Sequence, residues 1–403
     1  MSAEGSDSRF PLFRLLVITG AIFVAVSSEF LPTGLLPDIA AELHVSESRV
    51  GLLVTIFALT VVVSTAPLTA LTHRFPRKWL MVTMLGVFAV ANFLAAISPS
   101  YEFLAGARVL GGLAHGLFWS VTGPYASRIV PQRQLSRALA VTNAGGTAAF
   151  ILGVPFGTAL GHALGWRLAF AVMGGVVLVF LLLVVLALPH VSHLVTLKTG
   201  EIALPLRQDR TVPAVVIVSV TILLLAVGQN AYYTYIVPWA TQVGGIPAGD
   251  VSALLFGYGA AGAFGLLIAG LLGDRFPRGA LLILALSVAV TVAALGIFGA
   301  ASPVIVVIGM IAWSVAFGGI PSLLQGRMMH SASLRLRDTA AAWTTISFNV
   351  AIGGGAFLGG LLLDGFGIRV LPWVEVAFVL AGMLFVVLSD RRRMGLLPLH
   401  VGR

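Results

Sequence analysis

The chain has 403 residues, of which 58% are hydrophobic and only 10% charged, with 46 glycines, a mean hydropathy of +1.02 and a formal net charge of +9. A soluble domain carries roughly a quarter charged residues, so this composition excludes a water-soluble globule. Because cysteine is absent, disulfides, thiolate metal sites and cysteine nucleophiles are excluded as well.

Apolar runs of membrane-span length follow one another at 12–37, 50–71, 79–97, 103–125, 138–163 and 166–188. A more polar stretch, 190–212, separates them from a second set at 213–240, 251–273, 280–300, 303–325, 339–363 and 370–389. In hydrocarbon only helices or closed barrels satisfy every backbone hydrogen bond, and the two-residue alternation of barrel strands is missing. The expected fold is therefore an all-α membrane protein of twelve transmembrane helices. Residues 1–189 would form one six-helix bundle, 190–212 a cytoplasmic linker, 213–390 a second bundle and 391–403 a basic cytoplasmic tail.

Lysine and arginine support this count independently. With the N-terminus cytoplasmic, all but four of the 24 basic residues fall on that side, in clusters such as Arg74, Arg77 and Lys78 or Arg391, Arg392 and Arg393. The exceptions are Arg49, Arg167, Arg369 and, inside a span, Arg108. An even number of spans with both termini cytoplasmic in the cell membrane follows. Charges dealt out in small groups on alternate loops form no single groove, so no nucleic-acid partner is expected. The first run is longer than a signal-peptide core and lacks a small-x-small site, so no cleaved leader is expected either.

Displaced by about 201 positions, the second half repeats the punctuation of the first. Thr72-His73-Arg74-Phe75-Pro76-Arg77 meets Gly273-Asp274-Arg275-Phe276-Pro277-Arg278, Pro37 meets Pro238, and Glu29 meets Asn230. Asn143 corresponds to Asn349, and Gly165-Trp166-Arg167 to Gly367-Ile368-Arg369. Parallel repeats in a membrane pack about an axis along its normal, with a seam that can open to either side, which points to a transporter.

Four stretches are more specific: Gly270-x-x-x-Asp274-Arg275-x-Pro277-Arg278; Gly153-Val154-Pro155-Phe156-Gly157; Arg108-Val109-Leu110-Gly111-Gly112 running on through His115 to Phe118-Trp119-Ser120; and Ser28-Glu29-Phe30-Leu31-Pro32. Over nearly the whole chain they resemble the major facilitator superfamily, and within it the drug:proton antiporter and sugar-efflux, arabinose-exporter-like branch. The resemblance implies that the Gly270 loop is a conformational latch whose arginines reach the headgroups. Its first-half copy keeps Arg74 and Arg77 but has Thr69 and His73 in place of the glycine and the acid. It also implies that the motif around Gly153, Pro155 and Gly157 marks an exporter.

Ionised groups at mid-bilayer cost about 2.5–3.5 kcal/mol on insertion scales, so each needs a partner, a cavity or neutralisation. Glu29 and Arg108 lie at similar depth in spans one and four, Glu29 roughly 12 Å from the outer end at 1.5 Å per residue. They could pair, either as a proton-coupling site or as a permanent structural ion pair. His115, seven residues after Arg108, falls near the same helix face and could relay a proton or serve only as a buried hydrogen-bonding group. Asp38 at the outer mouth of span one is a candidate gate, and Glu375 in span twelve a weaker one, because a peripheral helix could let it reach the headgroups.

For a substrate cavity the candidates are Phe118, Trp119, Gln229, Asn230 and Tyr233, with the repeat partners Asn143 and Asn349: aromatic walls and neutral amides suit a polar or amphipathic ligand. Tyr235 and Trp239 read as interfacial aromatics. The glycines of spans five and eleven permit close helix packing, and Pro155 can bend span five.

No Gly-x-x-x-x-Gly-Lys-Ser/Thr loop is present, so no nucleotide or other cofactor is expected and the energy source is an ion gradient. A single carboxyl beside a basic group favours protons over sodium. His190 and His193 form a short His-x-x-His in the linker, read as an exposed connector rather than a metal site. The expected partners are a small-molecule substrate and the lipid bilayer, with the chain acting as a monomer. The leading reading is a proton-coupled exporter of a small amphipathic drug or sugar-like compound. A proton-coupled importer of the same fold and a non-transporting membrane receptor are the alternatives, and no clustered nucleophile and base points to an enzyme.

Overall fold

The computed structural model describes residues 10–72, 74–189, 209, 211–276, 279–333 and 336–396. Most of the expected linker lies outside these residues, as do Arg9, His73, His190, His193, Lys198, Arg207, Arg210, Pro277, Arg278, Arg335 and Arg403.

Span one is Leu12–Gly34 with an extension Leu36–Leu43; span two Glu47–Thr72; span three Arg77–Ala96; span four Tyr101–Arg128. Span five runs through Leu135–Ala148, a π-helical turn Ala149–Gly153 and Val154–Leu164, and span six is Trp166–Ala187. In the second half, span seven is Val212–Tyr233 with an extension Ile236–Gln242; span eight Val251–Arg275; span nine Ala280–Phe298. Span ten is broken into Pro303–Phe317 and Ile320–Ser331, span eleven is Arg337–Phe366 and span twelve Leu371–Leu396.

Among the described residues eleven helices are long and apolar enough to cross a bilayer. Span four is as long, at 28 residues, and is more polar because it carries Arg108 and His115 and ends in charged residues. Large apolar side chains face outward: Leu186, Leu271 and Phe156 are 72%, 72% and 67% exposed. That arrangement is stable against lipid tails and costly in water, which makes the chain a multi-pass membrane protein.

The two halves use one packing plan. Span one lies against spans five and six, three against four and six, and two against four; spans seven to twelve repeat the same pairs. The left-handed residues repeat too. His44 (φ 54°) and Gly245 (φ 65°) follow the extensions of spans one and seven, and Gly165 (φ 92°) and Gly367 (φ 80°) end spans five and eleven. Each first-half turn thus has its counterpart about 201 positions later. Glycine fits three of the four places because it carries no Cβ to clash at positive φ.

Spans one and seven are read from sequence as single runs, 12–37 and 213–240, and each is instead interrupted. Pro32 removes a donor just before the break at Leu35, and Pro37 then sits in the first turn of the extension, where its missing N–H costs nothing. In span five the π-turn ends at Gly153, two residues before Pro155, whose missing N–H cannot bond the carbonyl of Ile151. Gly145, Gly153, Gly157 and Gly161 form a stripe on which Thr19, Ser27, Leu31 and Leu35 of span one and its break rest, so this motif packs helices within the first half.

Across the seam, span two meets span eleven and span five meets span eight, a symmetric exchange between the halves. Thr55 Oγ1 donates to the Gly353 carbonyl (2.9 Å), and Gln242 Nε2 to Glu47 Oε1 (2.9 Å). Gly51 abuts the Tyr235 hydroxyl. These contacts close the arginine-poor end. Nearer the middle, a Cβ on Gly259 would lie 2.2 Å from the Phe150 carbonyl oxygen, a backbone atom that cannot move aside cheaply. We expect Gly259→Val to lower transport at least about tenfold without loss of membrane insertion; wild-type flux in vesicles carrying equal protein would contradict this reading of the seam.

Candidate substrate and proton site

Between the halves lies a cavity of about 460 Å³, within the range of roughly 300–1,000 Å³ that holds small molecules. Span one brings Glu29 and Phe30 to its wall, span four Trp119, span five Phe150, span seven Gln229, Asn230 and Tyr233, and span eight Tyr258. Aromatic rings make up a substantial part of this wall: Phe30 and Phe150 approach to 4.8 Å between ring centroids, and Tyr233 and Tyr258 to 5.2 Å. A few polar groups among such rings fix a ligand's orientation while the rings cover its apolar faces.

Glu29, Arg108 and His115 do converge, but not as an ion pair between Glu29 and Arg108. Arg108 Nη1 donates to the Ser28 carbonyl (2.8 Å) and Nη2 to the Glu29 carbonyl (2.7 Å), with its guanidinium over the Phe57 ring at 4.3 Å. The reason lies in span one. Ser28 is four residues before Pro32, which has no N–H to offer its carbonyl, and the arginine supplies the missing donor.

The Glu29 carboxyl faces His115 instead, Oε2 lying 3.5 Å from Nε2. Trp119, one helical turn further along span four, donates its indole N–H to the same Nε2 at 2.6 Å. A ring nitrogen that accepts a hydrogen bond carries no proton, so His115 is the neutral tautomer protonated at Nδ1. One proton placed between Glu29 Oε2 and His115 Nε2 would bond them, and Trp119 competes for that lone pair. The arrangement can hold one exchangeable proton at the cavity wall, under the field of a fixed guanidinium.

On the opposite wall Gln229 Nε2 donates to Tyr258 Oη (2.9 Å), and Gln229 Oε1 accepts the Trp313 indole N–H (3.1 Å). Asn230 Nδ2 is tied to the Ala226 carbonyl (2.8 Å), one turn back. Tyr258 and Trp313, absent from the candidates read from sequence, lie among other aromatics (Phe256, Phe264 and Phe317) within the apolar runs of spans eight and ten. Losing one neutral hydrogen bond costs ~0.5–1.5 kcal/mol. Tyr258→Phe should therefore raise the half-saturating substrate concentration several-fold at unchanged maximal rate, as concentration series of vesicle flux would measure.

The Major Facilitator Superfamily model matches residues 18–355 and again 218–398. The chain belongs to this superfamily. A "Probable sugar efflux transporter" of Mannheimia succiniciproducens is 29% identical over 387 residues, covering 94% of each chain. One of the same name from Helicobacter pylori strain J99 is also 29% identical, covering 96% of this chain and 97% of the relative. Among solved structures, a D-xylose-proton symporter matches with a TM-score of 0.78 at 17% identity, over 92% of this chain and 96% of the other. A bacterial homologue of the human lysosomal transporter Spinster, in an inward-facing, unoccupied conformation, matches with a TM-score of 0.75 at 17% identity, over 96% and 98%. The chain is a transporter with the all-α fold of the superfamily.

Several candidates lie apart from the transporter's cavity. Phe118 is fully buried against Phe88 and Trp119 in the first half, because neighbouring helix positions point about 100° apart and Trp119 takes the cavity side. Asn143 is exposed on span five, and Asn349 is buried with Nδ2 on the Thr345 carbonyl (3.0 Å); neither lines the cavity. Asp38 lies at the arginine-poor mouth, 3.1 Å from His162 Nε2, beside the Arg167–Glu42 ion pair. Tyr235 and Trp239 do not form a surface-exposed aromatic belt: both are buried, Tyr235 donating to the Ala356 carbonyl (2.9 Å) and Trp239 packing on Tyr232. Glu375 likewise does not reach the headgroups; it is fully buried, with Oε1 accepting the Trp313 N–H at 2.8 Å. Gly270, Asp274 and Arg275 stand at the exposed end of span eight, Arg74 is exposed and Arg77 half-buried, none of them on the cavity wall, and Arg278 lies outside the described residues.

Proposed function

We propose that this transporter is a proton-coupled exporter of a small amphipathic, sugar-like compound, working by alternating access as a monomer in the cell membrane. The observation that carries the reading is the buried Glu29 carboxyl, which lines the cavity and faces a neutral His115 held by the cavity residue Trp119. A proton and a substrate that compete for this cluster exchange in opposite directions, which is antiport. Its energy comes from the proton gradient, with no cofactor and no covalent step.

Export is supported by the span-five motif and by relatives named for sugar efflux. The sugar-like class is supported by those names together with aromatic walls interrupted by Glu29, Gln229 and Asn230. Both termini and the arginine-rich loops face the cytoplasm in this reading, so the seam closed at the Glu47–Gln242 end is the outer door.

The test is a screen of sugars, glycosides and amphipathic drugs in proteoliposomes with an imposed pH gradient, scoring the direction of solute movement and of protons. Solute and protons moving in opposite directions support the proposal; movement together supports an importer of the same fold. No solute movement with any compound in the screen would overturn the proposed substrate class.

A further inference from the structure

We propose that Glu375 is a second proton-binding site, linked to the substrate cavity through Trp313 and Gln229. This rests on the proton-coupled reading above and extends it from one carboxyl to two.

Glu375 is fully buried, and its two oxygens are treated unequally. Oε1 accepts the Trp313 indole N–H at 2.8 Å, while Oε2 has no hydrogen-bond partner. No cation forms an ion pair with it among the described residues. The elements around it offer none at its depth. Span nine carries no ionisable residue, and span seven presents Tyr232, whose ring stacks on Trp313 at 4.9 Å and whose buried hydroxyl lacks a partner. Span eight presents Tyr258, and the charged Asp364 and Arg369 stand at the far end of span eleven and in the turn before span twelve. A carboxyl so enclosed holds its proton, since an unpaired anion in a dry interior is strongly disfavoured.

The connection to the cavity is a shared donor. The Trp313 N–H is divided between Glu375 Oε1 and Gln229 Oε1, and Gln229 in turn donates to Tyr258; Gln229 and Tyr258 both line the cavity. If Glu375 loses its proton, the carboxylate draws the Trp313 N–H to itself and releases the Gln229 carbonyl to accept from a substrate hydroxyl. Conversely, a substrate that engages Gln229 favours the ionised carboxyl. Glu375 is sealed in this conformation, so exchange with water occurs when span ten moves. That helix is broken at Gly318 and Gly319, just beyond Trp313, where Gly318 rests on the Gly262 backbone of span eight.

The experiment is the zero-flux membrane potential of proteoliposomes at fixed gradients of protons and of a p-nitrophenyl glycoside, which gives protons moved per substrate. The expected ratios are two for the wild type and one for Glu375→Gln. A coupled wild type with the same ratio in Glu375→Gln would overturn the second site alone, whereas no coupling in the wild type would overturn the reading beneath it. Should Glu375→Gln fail to fold, proton release on glycoside binding is measured in Glu29→Gln. A proton still released supports Glu375, and none released overturns it.

Discussion

Glu29→Gln should insert and fold normally, still exchange labelled substrate across the membrane, and lose the concentration gradient that one proton per cycle sustains. The amide keeps the shape of the carboxyl and removes the proton that would pass between Oε2 and His115 Nε2, which are 3.5 Å apart. Each elementary charge moved through 100 mV supplies about 2.3 kcal/mol, or roughly fifty-fold in concentration. The steady-state accumulation ratio at 100 mV should therefore fall about fifty-fold, with counterflow unchanged. An unaltered ratio in vesicles containing equal amounts of protein would remove Glu29 from coupling. Loss of counterflow as well would show that the carboxyl is indispensable for substrate binding or folding, beyond its part in coupling.

Arg108→Ala should damage both stability and transport, for a reason the simple ion-pair picture does not contain. The guanidinium bonds two backbone carbonyls of span one, and the Ser28 carbonyl has no helical donor because Pro32 stands four residues on. Alanine would leave that carbonyl unpaired in a buried place, where one missing partner costs ~1–3 kcal/mol, and would also forfeit charge-assisted bonds of ~1.5–3 kcal/mol each. The expected destabilisation is on the order of 3–5 kcal/mol, comparable to breaking a buried charged pair. Arg108→Lys keeps the charge but cannot fork to both carbonyls, and should fall between the two. Thermal unfolding in detergent measures the order: wild type, then lysine, then alanine. An alanine variant as stable as the wild type would contradict the backbone-anchoring role.

Much of the architecture is legible in the sequence because hydrocarbon leaves few choices. Apolar runs become helices, and the correspondence of Gly165 with Gly367 reappears as two positive-φ turns in equivalent places. The coming together of Glu29, Arg108 and His115 is legible from depth and helical phase. Which atoms they use is not. Depth alone cannot show that the arginine answers a proline's missing N–H, or that Glu29 prefers the imidazole. Phase separates Trp119 from Phe118 only once the direction of the seam is known. Tyr235, Trp239 and Glu375 mislead for one reason: an argument from depth treats each helix as bordered by lipid, and these three side chains face neighbouring helices. The place of Tyr258 on the cavity wall and the bonds of Trp313 to Gln229 and Glu375 depend on tertiary contacts between spans seven, eight, ten and twelve, which no local pattern announces.

In the proposed mechanism proton and substrate compete for the cluster of Glu29, His115 and Trp119. Its most direct test is pH recording of the purified wild-type protein in weakly buffered detergent solution as a transported glycoside is added. Competition releases protons in an amount that saturates with substrate occupancy, is diminished in Glu29→Gln, and is accompanied by tighter substrate binding as pH rises. Saturable binding with no proton release, and with an affinity independent of pH, would contradict it.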